Sequence, residues 1–282
     1  VWLSDATSAE ATYGHISSWA TGGVTDMSWL FCASQWDINC NSAAASFNED
    51  ISAWDTSGVT AMNRMFLGAS AFNQDLSDWA VQSVTSMEDM FADASAFDQD
   101  MGAWDTSGVT AMNRMFLGAS AFNHDIGGWA VHNVTAMDEM FYLASEFNQN
   151  VGAWDTSGVT TMYHMFDGAS AFNQDLGWCV NNGMNLKYTF YDTPCESTAC
   201  GVLHAAALSC GGTPMGDGSI RTAVRAWAED RAAAEATYGH ISTWDTSGVT
   251  DMKHLFCVRQ DWMEGESWDD CVSEASFNED IG

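Results

Sequence analysis

Apolar side chains along this chain follow neither the helical nor the strand period but a repeat of 25 residues, marked by Trp54, Trp79, Trp104, Trp129 and Trp154. Counted forward from each Trp, they fall at offsets 0, 5, 8, 11, 12, 15, 18 and 22. That set is too irregular for one long helix and too short for two. Within it, M-x-x-M-F-x-x-A carries i, i+3, i+4, i+7 spacing and predicts about two helical turns, partly 3-10. V-T-x-M and F-N-Q-D-L alternate as short strands do, and W-D-T-S-G supplies the turn between them. Such a unit cannot bury its own apolar face. Stacking identical units about 4.8 Å apart would turn each offset into a row, so a repeat solenoid is the expected fold class.

The rows are explicit. Phe66, Phe91, Phe116, Phe141 and Phe166 form an aromatic ladder beside the Trp row. Met62, Met87, Met112, Met137 and Met162, with Met65, Met90, Met115, Met140 and Met165, form two more, read as core filling rather than thioether metal sites. Asn73, Asn123, Asn148 and Asn173, with Asp98 in the same row, are read as structural. Residues 54–73 and 104–123 are identical, whereas the units at Trp79 and Trp129 read W-A-V-x-x-V-T, so a 50-residue superperiod rides on the shorter one.

Earlier and later segments frame this array. A unit at Trp19 precedes Trp54 by 35 residues, the extra ten lying around Cys32 and Cys40, and a degenerate unit starts at Trp178. E-A-T-Y-G-H-I-S at 10–17 returns at 235–242, and F-N-E-D-I at 47–51 returns at 277–281. Three regions are therefore expected: a first array with both caps over 1–203, a linker over 204–218 with the Gly-rich stretch G-G-T-P-M-G-D-G, and a capping helix with the first rung of a second array over 219–282. In the preface of the second array, Ile220, Val224 and Trp227 share a helical face, with Ser219 as the expected N-cap. Val1 in place of Met and the halt at Gly282, where a Trp is due, suggest a segment of a longer tandem protein.

Composition changes the picture mainly through charge. With 38 Asp+Glu against 8 Lys+Arg, the net charge is −30, which excludes nucleic acid and electrostatic docking to anionic membranes. A chain that is 46% hydrophobic nevertheless folds. No apolar run approaches the roughly 20 residues of a membrane helix, so no direct membrane insertion is expected.

The unit W-D-T-S-G-V-T-x-M-x-x-M-F-x-x-A-S-x-F-N-Q-D closely resembles the repeat of BspA-like leucine-rich-repeat surface proteins, found also among Mycoplasma surface lipoproteins and algal surface proteins. The resemblance covers about residues 10–200 and resumes from 220, and it includes the edges A-W-A-E-D-R-A-A-A-E-A-T-Y-G-H-I-S-T-W-D-T-S and T-P-C-E-S-T-A-C-G-V. Met and Phe stand where many leucines are expected. The resemblance implies a right-handed, leucine-rich-repeat-like solenoid at a cell surface or in an extracellular matrix, acting in adhesion or protein contacts.

Candidate chemistry is sparse. Cys32, Cys40, Cys179, Cys195, Cys200, Cys210, Cys257 and Cys271 all lie outside the regular rungs. Cys32 and Cys257 occupy equivalent places, each with a second Cys before F-N-E-D-I, so Cys32–Cys40 and Cys257–Cys271 are expected disulfides; the other four allow three pairings. With no C-x-x-C and no His pair, disulfides in an oxidising compartment are preferred to zinc. Asn133-Val134-Thr135 is a glycosylation sequon. Asp50, Asp75, Asp100, Asp125 and Asp175 form a row of like charges that must be satisfied by backbone N–H groups, by solvent or by calcium, the first two preferred. D-T-S-G at Asp55, Asp105, Asp155 and Asp245 superficially matches an aspartic protease, but a dyad is made once and this is a repeated turn. His15 and His240 share a cap context, while 124, 132, 164, 204 and 254 show no catalytic or metal spacing.

These observations give a non-enzymatic, extracellular structural or adhesive protein whose partners are other proteins or copies of itself, with filaments as one form of assembly. The alternative is a calcium- or carbohydrate-binding surface module using the acidic and Trp rows. Offsets 9 and 10 carry Asn63-Arg64, Glu88-Asp89, Asn113-Arg114, Asp138-Glu139 and Tyr163-His164, an alternation suited to rung-to-rung ion pairs.

Overall fold

The computed structural model describes residues 1–34, 37–181, 183–204, 214–238, 241 and 244–252. The chain divides into two compact units, Val1–Val202 and Leu203–Gly282.

In the first unit, successive 25-residue rungs lie in parallel register. Single bridges join Asp26 to Ala61, Ala61 to Ser86, Ser86 to Ala111, Ala111 to Ala136 and Ala136 to Thr161. Thr85 N donates to Thr60 O (3.0 Å) in one direction, while Arg64 N donates to Glu88 O (2.9 Å) and Phe66 N to Met90 O (2.9 Å) in the other. These contacts are too short to make strands of the V-T-x-M and F-N-Q-D-L segments. M-x-x-M-F is not a continuous helix either. Its alternate N–H groups go to the neighbouring rung, and those between them close i−3 turns, as Met65 N to Met62 O and Ala69 N to Phe66 O. A left-handed residue recurs at offset 10 (Arg64, Asp89, Arg114, Glu139 and His164, φ 53–59°) and interrupts helical winding.

Burial follows the predicted rows. Phe66, Phe91, Phe116, Phe141 and Phe166 stack at 5.3–5.7 Å between centroids. A second ladder, Phe72, Phe97, Phe122, Phe147 and Phe172, runs beside it at about 6 Å, and the rings of each rung meet at 4.0–4.1 Å. Both Met rows are fully buried. The ten extra residues near the start do not disturb the ladders. Phe31 and Phe47, sixteen apart rather than six, still stack at 3.9 Å and continue onto Phe66 and Phe72.

The Asn row is a polar zipper between rungs. Each side-chain oxygen accepts the N–H of the next residue in the row, as Asn73 N to Asn48 Oδ1 and Asn173 N to Asn148 Oδ1, both 2.9 Å. Gln74, Gln149 and Gln174 add Nε2 donors to the same oxygens. Where Asp98 replaces Asn, His124 replaces Gln and sits 3.2 Å from its carboxylate.

The starts of the two arrays match. Helix α1 (Ala6–Tyr13) is capped by Asp5, and Trp2 meets Trp19 edge-on at 5.9 Å. In the second unit, α2 (Asp217–Glu229) and α3 (Arg231–Tyr238) enclose Ile220, Val224 and Trp227, and Trp227 meets Trp244 edge-on at 6.1 Å. Two expectations are corrected here. The preface is two helices separated at Asp230, and the helix starts before Ser219, whose hydroxyl accepts the Gly216 N–H at 2.8 Å from inside the first turn. Part of the expected linker is structured: Pro214–Gly216 is a strand pairing in parallel with Asp245–Gly248. The rest of the second rung, including F-N-E-D-I at 277–281, lies outside the described residues.

Candidate functional site

The acidic row turns out to be a set of turn locks. Asp50 Oδ1 accepts from Ser52 N (3.0 Å), Asp75 from Ser77 N (2.9 Å), Asp100 from Gly102 N and Asp125 from Gly127 N (both 2.9 Å). Asn150 does the same for Gly152 N at 2.8 Å, so the position selects an oxygen acceptor rather than a charge. The Asp50 carboxyl is held below the usual carboxylate range by the Ser52 hydroxyl first and its N–H second, that of Asp75 by the Ser77 N–H and then its hydroxyl. Asp175 lies against Gly201, where a Cβ would come within 1.8 Å of its Oδ1. Among the described residues, no group of three His, Cys, Asp or Glu side chains is placed to hold a metal ion. D-T-S-G repeats the same device: Asp55, Asp105 and Asp155 each accept from the N–H two residues on at 3.0–3.1 Å.

The Trp row faces inward. Trp54, Trp79, Trp104, Trp129 and Trp154 are only 3–4% exposed. Each indole N–H reaches a carbonyl of an earlier rung, as Trp79 to Ile51 (3.2 Å), Trp104 to Leu76, Trp129 to Met101 and Trp154 to Ile126 (3.0 Å each), and Trp54 to Ile16 (2.9 Å). A row of Trp sugar platforms is therefore overturned, because burying the indole and pairing its only donor leave nothing for a glycan.

Cysteine geometry is partly defined. Cys32 and Cys40 are joined by a disulfide that closes a loop within the segment holding the ten extra residues, and Cys195 is joined to Cys200 at the far end of the second Phe ladder, with Cys195 Sγ 3.5 Å from Phe172 O. Of the three pairings open for the last four cysteines, this excludes the two that part Cys195 from Cys200. Cys210, Cys257 and Cys271 lie outside the described residues, as do His240 and His254. Asn133 is exposed, and its Nδ2, the atom a glycan would take, donates to Ser107 O at 2.8 Å and lies 3.2 Å from His132 Nε2.

Outward positions differ from rung to rung, and the column at offset 10 carries the variation. Arg64 Nε pairs with Asp89 at 2.8 Å and its guanidinium lies over the Trp29 ring at 4.5 Å; Arg114 Nε pairs with Glu139 at 2.9 Å. The next rungs change character. His164 bonds Asp167 and stacks on Tyr188, with centroids 5.1 Å apart, and Tyr163 stands edge-on to both rings. Tyr191 continues the cluster, 6.0 Å from Tyr188. Sequence reading found Tyr163-His164 in this column but missed Tyr142, Tyr188 and Tyr191; the signal was the replacement of a charged pair by an aromatic one.

One protein-family model, described as Mycoplasma protein of unknown function, DUF285, matches residues 3–124, 97–199 and 228–281, which together span most of the chain. No curated protein and no solved structure matches.

Proposed function

The chain belongs to this family of Mycoplasma-type repeat proteins, and from that footing we propose that it is a non-enzymatic scaffold of a cell surface or extracellular matrix, a leucine-rich-repeat-like solenoid that mediates contacts with other proteins or with its own copies. The observation that carries this reading is the division of labour within each rung. Interior positions repeat almost unchanged from Phe66 to Phe166, whereas outward positions at offsets 9 and 10 change at every rung. A stack of equivalent rungs adds length and rigidity through nearest-neighbour contacts alone, and leaves the exterior available for recognition. Disulfides at the insertion and at the array end, Cys32–Cys40 and Cys195–Cys200, support an oxidising compartment.

Protease shaving of intact cells tests the location: the chain should be clipped from the outside without lysis, and complete protection until lysis would sink the surface reading. Electron micrographs of native material test the assembly, with filaments or sheets expected and uniformly monomeric particles counting against self-association.

A further inference from the structure

Four of the six tyrosines gather on one outward region of the first unit: Tyr142, Tyr163, Tyr188 and Tyr191. Aromatic residues of its core rows are Phe and Trp; the tyrosines lie outside. Tyr163, Tyr188 and Tyr191 are 42%, 39% and 53% exposed, and Leu143, one rung away, is 49% exposed. Exposed aromatic and aliphatic side chains gathered in one place, on a chain of charge −30, are the kind of surface that marks an interaction site.

The rings show what they accept. Lys187 Nζ lies over the Tyr188 ring at 4.6 Å, as the Arg64 guanidinium lies over Trp29 farther along the same column. The nearby carboxylates of Asp167 and Asp138 are committed to His164 and to the Tyr163 N–H. At longer range the net negative charge attracts cations and repels acidic polymers. We propose that this tyrosine patch is a docking surface for a basic protein segment, whose arginine side chains lie on the rings of Tyr163 and Tyr191. Tyr and Arg are the residues that dominate protein interfaces, and a guanidinium on an exposed ring combines stacking with attraction to the ring face. This names the partner of the scaffold proposed above and rests on that reading.

The test compares the whole chain with Tyr163→Ser/Tyr191→Ser, which leaves net charge untouched. The probes are a capped peptide of alternating Arg and Gly and its Lys counterpart, titrated calorimetrically at physiological and at high salt. Two exposed cation–ring contacts predict affinity for the Arg peptide roughly five- to thirtyfold lower in the variant, with the preference for Arg over Lys largely lost. Tyr163→Phe/Tyr191→Phe, which keeps the rings, should bind as the parent does. Equal affinity of parent and Ser variant would mean that body charge alone holds the peptide, and would overturn the proposal. Tyrosine-dependent retention of laminarin, a neutral glucan, with no tyrosine dependence for the Arg peptide, would overturn it in favour of a sugar platform. Thermal melts of all three proteins should coincide, because the altered side chains are outside the core. These measurements use purified chain, so protection of the protein inside cells would refute the location while leaving the docking site standing.

Discussion

Rungs beginning at Trp54 and Trp104 differ from those beginning at Trp79 and Trp129 in places that meet one another. Offset 10 carries Arg64 or Arg114 in the first kind and its partner, Asp89 or Glu139, in the second. Offset 2 carries buried Thr56 or Thr106, whose hydroxyl donates to Ala80 O or Ala130 O at 3.1 Å, and in the other kind the similarly shaped Val81 or Val131. At offset 14, Asp93 and Leu143 lie over Gly118 and Gly168 of the following rung, so closely that a Cβ there would come within 2.5 and 2.6 Å of them. The Phe, Trp and Met ladders do not alternate at all. The true unit is thus a complementary pair of rungs, with common ladders inside and matched differences around them.

The largest effect should come from what the two rung types share. Phe116→Ala and Phe91→Ala each delete a fully buried ring and should each cost about 3–5 kcal/mol in equilibrium unfolding. Costs that differ by more than the uncertainty of the measurement would mean that the Phe ladder alternates too. Next comes the glycine pocket. Gly118→Val faces both φ +64° and the Asp93 carboxylate, and is expected to cost about 2–4 kcal/mol, whereas Gly128→Ala, with open space around its Cβ, should stay within about 0.5 kcal/mol. If both behave alike, the matched fit at offset 14 is not stabilising.

Exposed ion pairs are weaker. Arg114→Glu should destabilise by about 0.5–1 kcal/mol and Arg114→Glu/Glu139→Arg should recover most of it, with both effects fading in high salt. An uncoupled double-mutant cycle would remove charge from the pairing rule.

The smallest expected effect separates the rung types by sign. Asp105 is held below the usual carboxylate range by the Ser107 hydroxyl and N–H, so its contribution is in place above about pH 3.9 and drains as pH falls through its folded value. Asp105→Asn should flatten the loss of Tm in acid. Asp93 is pushed up by loss of solvent and then by the neighbouring Asp89 carboxylate, so it costs stability as pH rises through its folded value. Asp93→Asn should raise Tm at pH 7, and that gain should shrink towards pH 3. Any gain that persists there belongs to the better fit of Asn to φ +56°. Parallel pH responses of the two variants would refute the assignment.

Periodicity made the interior legible because burial repeats faithfully: every named Trp, Phe and Met row is found inside. Local conformation was less legible. The i, i+3, i+4, i+7 spacing of M-x-x-M-F matches a helix, yet the left-handed residue at offset 10 can be Arg, Asp, Glu or His, and none of these announces positive φ. Its cost is offset by backbone bonds to the neighbouring rung, which no single unit reveals. The helix start was misplaced for a related reason: Ser219 reaches back to Gly216 from within the first turn, and Gly216 carries no side chain to mark a cap. For the outward site, composition gave the charge, but only the stacking distance brings Tyr163, Tyr188 and Tyr191 together across rungs.

Because the bonds between rungs run along the stacking direction, a pull on the two ends of the array puts the same tension on every interface, and the interfaces give way one at a time. Each failing interface releases one rung of 25 residues, or roughly 80–90 Å of contour length. Force-extension traces should therefore show a sawtooth with that increment, interrupted where the Cys32–Cys40 bridge withholds the residues between these two cysteines from extension. Such a stack dissipates tension in small instalments.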